Sequence, residues 1–165
     1  MRDLNVYIKY CTDLLDTCNI PYEKRITWSI NNRATGRWGQ CRKRNGRYSI
    51  NISSVLLNEN SNEKDLINTV IHELIHTCPD CMNHGNTWKT YANKVNRKYG
   101  YDISRTNRGD DNSAKIMMEN KITKSKYVCY CEKCGTEFYY QRWCNVTKYP
   151  ERYKHTGCGG SLKLK

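Results

Sequence analysis

The stretch Ile71-His72-Glu73-Leu74-Ile75-His76, IHELIH in one-letter form, decides how the rest of the chain is read. Its two histidines stand four residues apart, so on a helix their imidazoles lie about one turn apart on one face and can grip a single metal ion. The flanking residues ask for that helix. At roughly 100° per residue, Leu66, Ile67, Val70, Ile71, Leu74 and Ile75 fall on one broad arc, and the two histidines lie almost opposite its centre. Ser61 or Asn62 is the expected cap, Glu63 and Asp65 suit the positive end of the helix dipole, and Pro79 marks the far limit.

Glu73 follows the first histidine directly, so it projects beside the ligands, where a carboxylate can accept the proton of a zinc-activated water. Two imidazoles leave a catalytic zinc one protein ligand short. His84 is the expected third, since seven residues containing Pro79 separate it from His76 and leave room for the chain to turn back. These residues imply hydrolysis by an activated water without a covalent intermediate.

Working outward, Leu4, Ile8, Cys11, Leu15 and Cys18 repeat at spacings of three and four, the stripe of an amphipathic helix over residues 4–18. Ile26, Trp28 and Ile30 alternate with polar residues, as do Tyr48, Ile50 and Ile52, which predicts two strands in a small antiparallel sheet. Between them TGRWGQCRKRNG reads as turns with an exposed basic face. A third helix is expected after a cap at Asn86 or Thr87, with Trp88, Tyr91, Ala92, Val95 and Tyr99 on one face and Gly100 at its end. Periodicity then fades, giving an expected linker with at most a short helix. The expected domains are a catalytic region at 1–106, a linker at 107–126 and a metal-stapled module at 127–165.

The chain carries 28 basic against 16 acidic residues, a formal +12, which favours a polyanionic partner such as nucleic acid. Arg42, Lys43 and Arg44 are candidate contacts. Ten cysteines would suit a disulfide scaffold in a secreted protein, but Arg2, Asp3, Lys9, Asp13 and Asp16 interrupt any leader-like apolar run. The expectation is a reducing, cytoplasmic setting without a membrane segment, in which Cys11 and Cys18 are core residues.

The tail holds CEKCG at 131–135 and HTGCGG at 155–160, two knuckles at the spacing of a zinc ribbon. Cys131, Cys134, His155 and Cys158 would close a tetrahedron and leave no open position, so this second zinc would be structural; Cys129 and Cys144 compete as ligands. From residue 115 onward there are 11 basic and 4 acidic residues interleaved with aromatics, a mixture suited to nucleic acid, with Arg142 and Trp143 as candidate contacts.

The residues RWGQC, NISSVLL, HELIHTCPDCMNHG and TWKTYANKVNRKYGYDI, followed by the paired knuckles, resemble the SprT-like family over about Ile26 to Lys163. That family is similar to the protease domain of Spartan, which degrades proteins crosslinked to DNA. The resemblance implies an α+β, zincin-like metalloprotease core with a C-terminal zinc ribbon, zinc ligands His72, His76 and His84, catalytic Glu73, and DNA-bound protein substrates. It departs from the family at the second knuckle, where His155 replaces the first cysteine of Cys-x-x-Cys. An exposed edge strand near 48–53 is expected to pair with extended substrate; Cys78 and Cys81 are expected to be ordinary loop cysteines, the alternative being a thiolate that reaches the metal or a disulfide that gates the cleft. The alternative function is a non-enzymatic DNA-binding regulator in which both zincs are structural.

Overall fold

The computed structural model describes residues 1–106 and 109–165 and divides into two compact units, Met1–Ile116 and Met117–Lys165. The first contains helix α1 (Leu4–Thr17), strands β1 (Ile26–Asn31), β2 (Gly39–Arg44) and β3 (Arg47–Ser53), and helices α2 (Glu63–Ile75) and α3 (Asn86–Tyr99). Asp3 caps α1 by accepting from the Asn5 N–H at 2.9 Å, and the helix buries Leu4, Cys11, Leu14 and Leu15. The Arg2 guanidinium donates to the carbonyls of Leu56, Asn58, Glu59 and Ser61 at 2.7–3.2 Å, tying the start of α1 to the loop that leads into α2.

The sheet corrects the expectation of an antiparallel pair. Its order is β1-β3-β2, with β1 parallel and β2 antiparallel to β3. The basic stretch expected to be turns is in fact β2, joined to β3 by the two-residue turn Asn45-Gly46, both at positive φ of 49° and 73°. Composition explains the order. β3 buries Tyr48, Ile50 and Ile52 and takes the centre, whereas β2, with Arg42, Lys43 and Arg44 exposed, belongs at an edge. Residues 48–53 therefore form the middle strand, and the expected substrate-pairing edge there is overturned.

Helix α2 is the axis of this unit. Asn62 caps it, accepting from the Lys64 N–H at 2.9 Å, and ten of its thirteen residues are buried, against α1, α3 and the sheet. The apolar arc predicted one covered face; the sheet covers much of the other as well. Helix α3 begins at Asn86, with Gly85 at the cap position and no side-chain cap bond, and closes on left-handed Gly100 at φ 72°. It packs Trp88, Ala92 and Val95 inward.

Within the expected linker, residues 107 and 108 lie outside the described residues, and a 13-residue helix α4 (Asp111–Thr123) follows. The Asp110 carboxylate accepts from the Ser113 N–H at 2.8 Å, as a capping side chain does. Asp65 accepts from the Asp110 N–H at 2.8 Å and Asn62 donates to Asp110 at 3.1 Å, so the start of α4 is pinned to the start of α2.

The second unit is an antiparallel sheet of order β5-β4-β6, formed by β4 (Tyr127–Cys131), β5 (Glu137–Tyr140) and β6 (Leu162–Leu164), with the one-turn helix α5 (Asn145–Lys148). No helix among the described residues is long and apolar enough to cross a membrane.

Candidate metal centres

Three imidazoles converge at the end of α2. His72 Nε2 lies 3.2 Å from His76 Nε2 and 3.0 Å from His84 Nε2. The outer nitrogens show why. His72 Nδ1 sits 3.0 Å from the Ser104 carbonyl and His76 Nδ1 sits 2.7 Å from the Cys81 carbonyl, so each ring donates its proton outward and turns the Nε2 lone pair inward. Lone pairs facing one another at these distances repel unless a cation lies between them. Zinc–nitrogen bonds of about 2.0–2.1 Å in a tetrahedron separate their nitrogens by about 3.3 Å, close to the spacing found. The donor set thus fits zinc. Burial, followed for His72 by its two histidine neighbours, pushes the ring pKa values down, His72 to about 4, which keeps the imidazoles neutral as ligands must be.

Trp88 backs the cluster from α3, its ring centroid 4.8, 5.8 and 4.7 Å from those of His72, His76 and His84. Only its apolar helical position was visible in the sequence. The carbonyls of Cys81 and Ser104 were also missed, because a backbone acceptor carries no residue-type signal. Cys81 serves through that carbonyl and not through its thiol: Cys78 and Cys81 are buried, free, and outside the histidine group. Burial pushes the Cys78 thiol up to about 12, which makes it a poor nucleophile and metal ligand.

Glu73 is only 6% exposed and lies under β2. A Cβ at Gly39 would stand 2.7 Å from Glu73 Oε1 and 2.8 Å from Thr69 Cγ2, so the strand approaches the carboxylate as only glycine permits. Burial raises the Glu73 pKa to about 7, opposed by the Cys41 backbone amide and the positive charge of Arg37. A carboxylate poised there gives up and regains a proton readily near neutrality. It borders a cleft of about 270 Å³ whose walls include Trp38, Thr69, His72, Arg37 and Arg105.

The profile of the SprT-like family matches residues 9–108. This chain belongs to the SprT-like family. The family is one of metallopeptidase-type domains, and the match spans all three histidines and Glu73. It begins earlier than the resembling motifs and stops before the C-terminal knuckles, so the second metal group of this SprT-like protein stands on its own geometry. No curated protein matches the chain.

That second group joins Cys131, Cys134, His155 and Cys158. Cys158 Sγ lies 3.4 Å from Cys131 Sγ and from Cys134 Sγ, and His155 Nδ1 lies 3.2 Å from Cys134 Sγ and 3.3 Å from Cys158 Sγ. Left-handed Gly135 and Gly159 turn the two knuckles, at φ 72° and 71°. Gly160 leaves space for a sulfur, since a Cβ there would stand 2.5 Å from Cys131 Sγ. The two competing cysteines are used otherwise: Cys129 is fully buried with its thiol toward the Val146 carbonyl, and the Cys144 thiol caps α5.

The candidate nucleic-acid residues fall in different units. Arg42, Lys43 and Arg44 are exposed on β2, with the Lys43 ammonium 4.9 Å from the Tyr48 ring centre. Arg142 is exposed and Trp143 is 52% exposed, its ring meeting that of Tyr127 edge-on at 5.0 Å.

Proposed function

We propose that this SprT-like protein is a zincin-type metallopeptidase that hydrolyses peptide bonds in proteins bound to DNA, with one catalytic and one structural zinc. The observation that carries the reading is the convergence of three Nε2 lone pairs beside a buried carboxylate. Zinc held by His72, His76 and His84 would supply Lewis acidity to a water and to the peptide carbonyl. Glu73 accepts the proton of the attacking water and returns it to the leaving amine. Trp88 and the Ser104 and Cys81 carbonyls keep the imidazoles oriented while bonds change. The roof of the carboxylate is β2, an edge strand, and its free side offers backbone groups to an extended substrate. Cys131, Cys134, His155 and Cys158 would hold the structural zinc.

DNA concentrates the enzyme on its substrates. The support is the +12 charge, the exposed cations of β2, and the neighbouring exposed residues Arg142 and Trp143. The proposed location is cytoplasmic.

The test is Glu73→Gln in zinc-loaded protein. The variant keeps both metals and its DNA affinity, and loses proteolysis of DNA-bound protein by a factor of at least about 100. Unchanged activity, or absence of activity in the wild type with both zincs bound, leaves the non-enzymatic DNA-binding regulator as the reading.

A further inference from the structure

The cleft beside Glu73 carries a charge arrangement that peptide-bond hydrolysis alone does not call for. Glu73 is the only acid among its lining residues, and it is committed to proton transfer, while Arg37 and Arg105 contribute two guanidinium groups. They arrive from separate segments. Arg37 precedes β2, and Arg105 follows directly on Ser104, whose carbonyl orients His72. Both side chains are exposed, and neither takes part in an ion pair among the described residues. Both guanidinium-bearing residues line the same cleft as His72 and Glu73.

Resting on the metallopeptidase reading above, we propose that Arg37 and Arg105 make the cleft select substrates with an aspartate or glutamate flanking the scissile bond. Guanidinium groups match a carboxylate with paired N–H donors, and unpaired ones at a cleft rim have that capacity free. A lysine or arginine in the same place would meet two like charges and a bound metal cation, so the arrangement discriminates by repulsion as well as by attraction. Backbone pairing along β2 reads no side chain, and the two arginines add one side-chain preference to an otherwise tolerant site. An acidic stretch is then the cutting point even in a protein whose overall charge is basic.

The experiment uses the zinc-loaded full chain and matched peptides in which one position on either side of the cleaved bond is Asp, Asn or Lys. Wild type is expected to favour Asp over Asn by about fivefold in kcat/KM at the selecting position, carried by KM, as suits exposed ion pairs. Lys is expected to fall below Asn. In Arg37→Ala/Arg105→Ala the Asp-to-Asn ratio drops to about one, and in Arg37→Glu/Arg105→Glu the order reverses in favour of Lys. Comparing ratios within each variant cancels any change in the basicity of Glu73 caused by the lost Arg37 charge. Equal cleavage of Asp and Asn peptides by wild type overturns the proposal, as does a wild-type ratio that persists in the alanine variant. Failure of the zinc-loaded protein to cleave any peptide or protein overturns the metallopeptidase reading instead.

Discussion

Replacing Gly39 with alanine tests the closeness of β2 to the Glu73 carboxylate more directly than any change to the carboxylate itself. The added methyl would lie 2.7 Å from Glu73 Oε1, 2.8 Å from its Cγ and 2.8 Å from Thr69 Cγ2. Thr69 and Glu73 are both buried, 3% and 6% exposed, so neither can swing into solvent without opening the helix–sheet contact. Overpacking of this kind costs about 1–3 kcal/mol, which in a chain of 165 residues lowers the melting temperature by about 2–4 °C per kcal/mol. The catalytic effect should be larger. If Glu73 is the proposed base, a displacement of about 1 Å costs on the order of 100-fold in kcat. Zinc content should stay at wild-type stoichiometry, because the three atoms nearest the methyl belong to Glu73 and Thr69 and none to an imidazole. Gly36→Ala is the control, with nothing within 4 Å of its added Cβ, and should leave stability and turnover unchanged. The measurements are metal analysis, a thermal melt and peptide hydrolysis on the three proteins. A Gly39→Ala protein as stable and active as wild type would refute the placement of Glu73 beneath β2.

Three further outcomes are expected. In metal-free protein the neutral form of Glu73 contributes stability that is complete below pH about 4.5 and lost as pH rises through about 7, up to about 3 kcal/mol; His72 contributes oppositely, stabilising above pH about 6.5 and losing that as pH falls through about 4. The two slopes offset in the parent, so urea titrations should show stability climbing with pH from 4.5 to 6.5 in Glu73→Gln, and a flat difference between the two proteins would contradict the burial of the carboxyl. Changing His72, His76 or His84 singly to alanine should reduce bound zinc from two equivalents to one by metal analysis, and two equivalents retained in His84→Ala would remove it as a ligand. Gly160→Ala should cost the other equivalent, since its Cβ would stand 2.5 Å from Cys131 Sγ, and the histidine-bound metal should remain; loss of both metals would show that the two groups do not load independently.

Local periodicity carried much of the architecture. The helices at the amino terminus, at IHELIH and after His84 were readable because apolar residues repeat at 3.6-residue spacing and because Asn62 and Gly100 punctuate them. Strand β2 was hidden by Arg42, Lys43 and Arg44, which suit an edge and look like a loop, although Asn45-Gly46 is a hairpin signal that could have revealed it. Helix α4 was hidden for another reason: its amphipathic signal is faint, and its start is set by Asp110 and by contacts reaching back to Asn62 and Asp65.

The chain's own order of residues determined which atoms are able to bind metal: imidazoles at helical spacing, a third within reach of one loop, and sulfurs in two glycine-closed knuckles. Such chemistry is local, so residue type and spacing express it. Tertiary structure decided everything that depends on distant segments meeting. It put β3 in the middle of the sheet, brought Gly39 against Glu73, gave His155 its Nδ1 as the inward atom, and set the carbonyls of Ser104 and Cys81 behind the ligand rings. Those contacts rest on backbone groups and close approach, which leave no mark in a one-dimensional string, and they turn a metal-binding pattern into a cluster of oriented imidazoles beside a buried carboxylate.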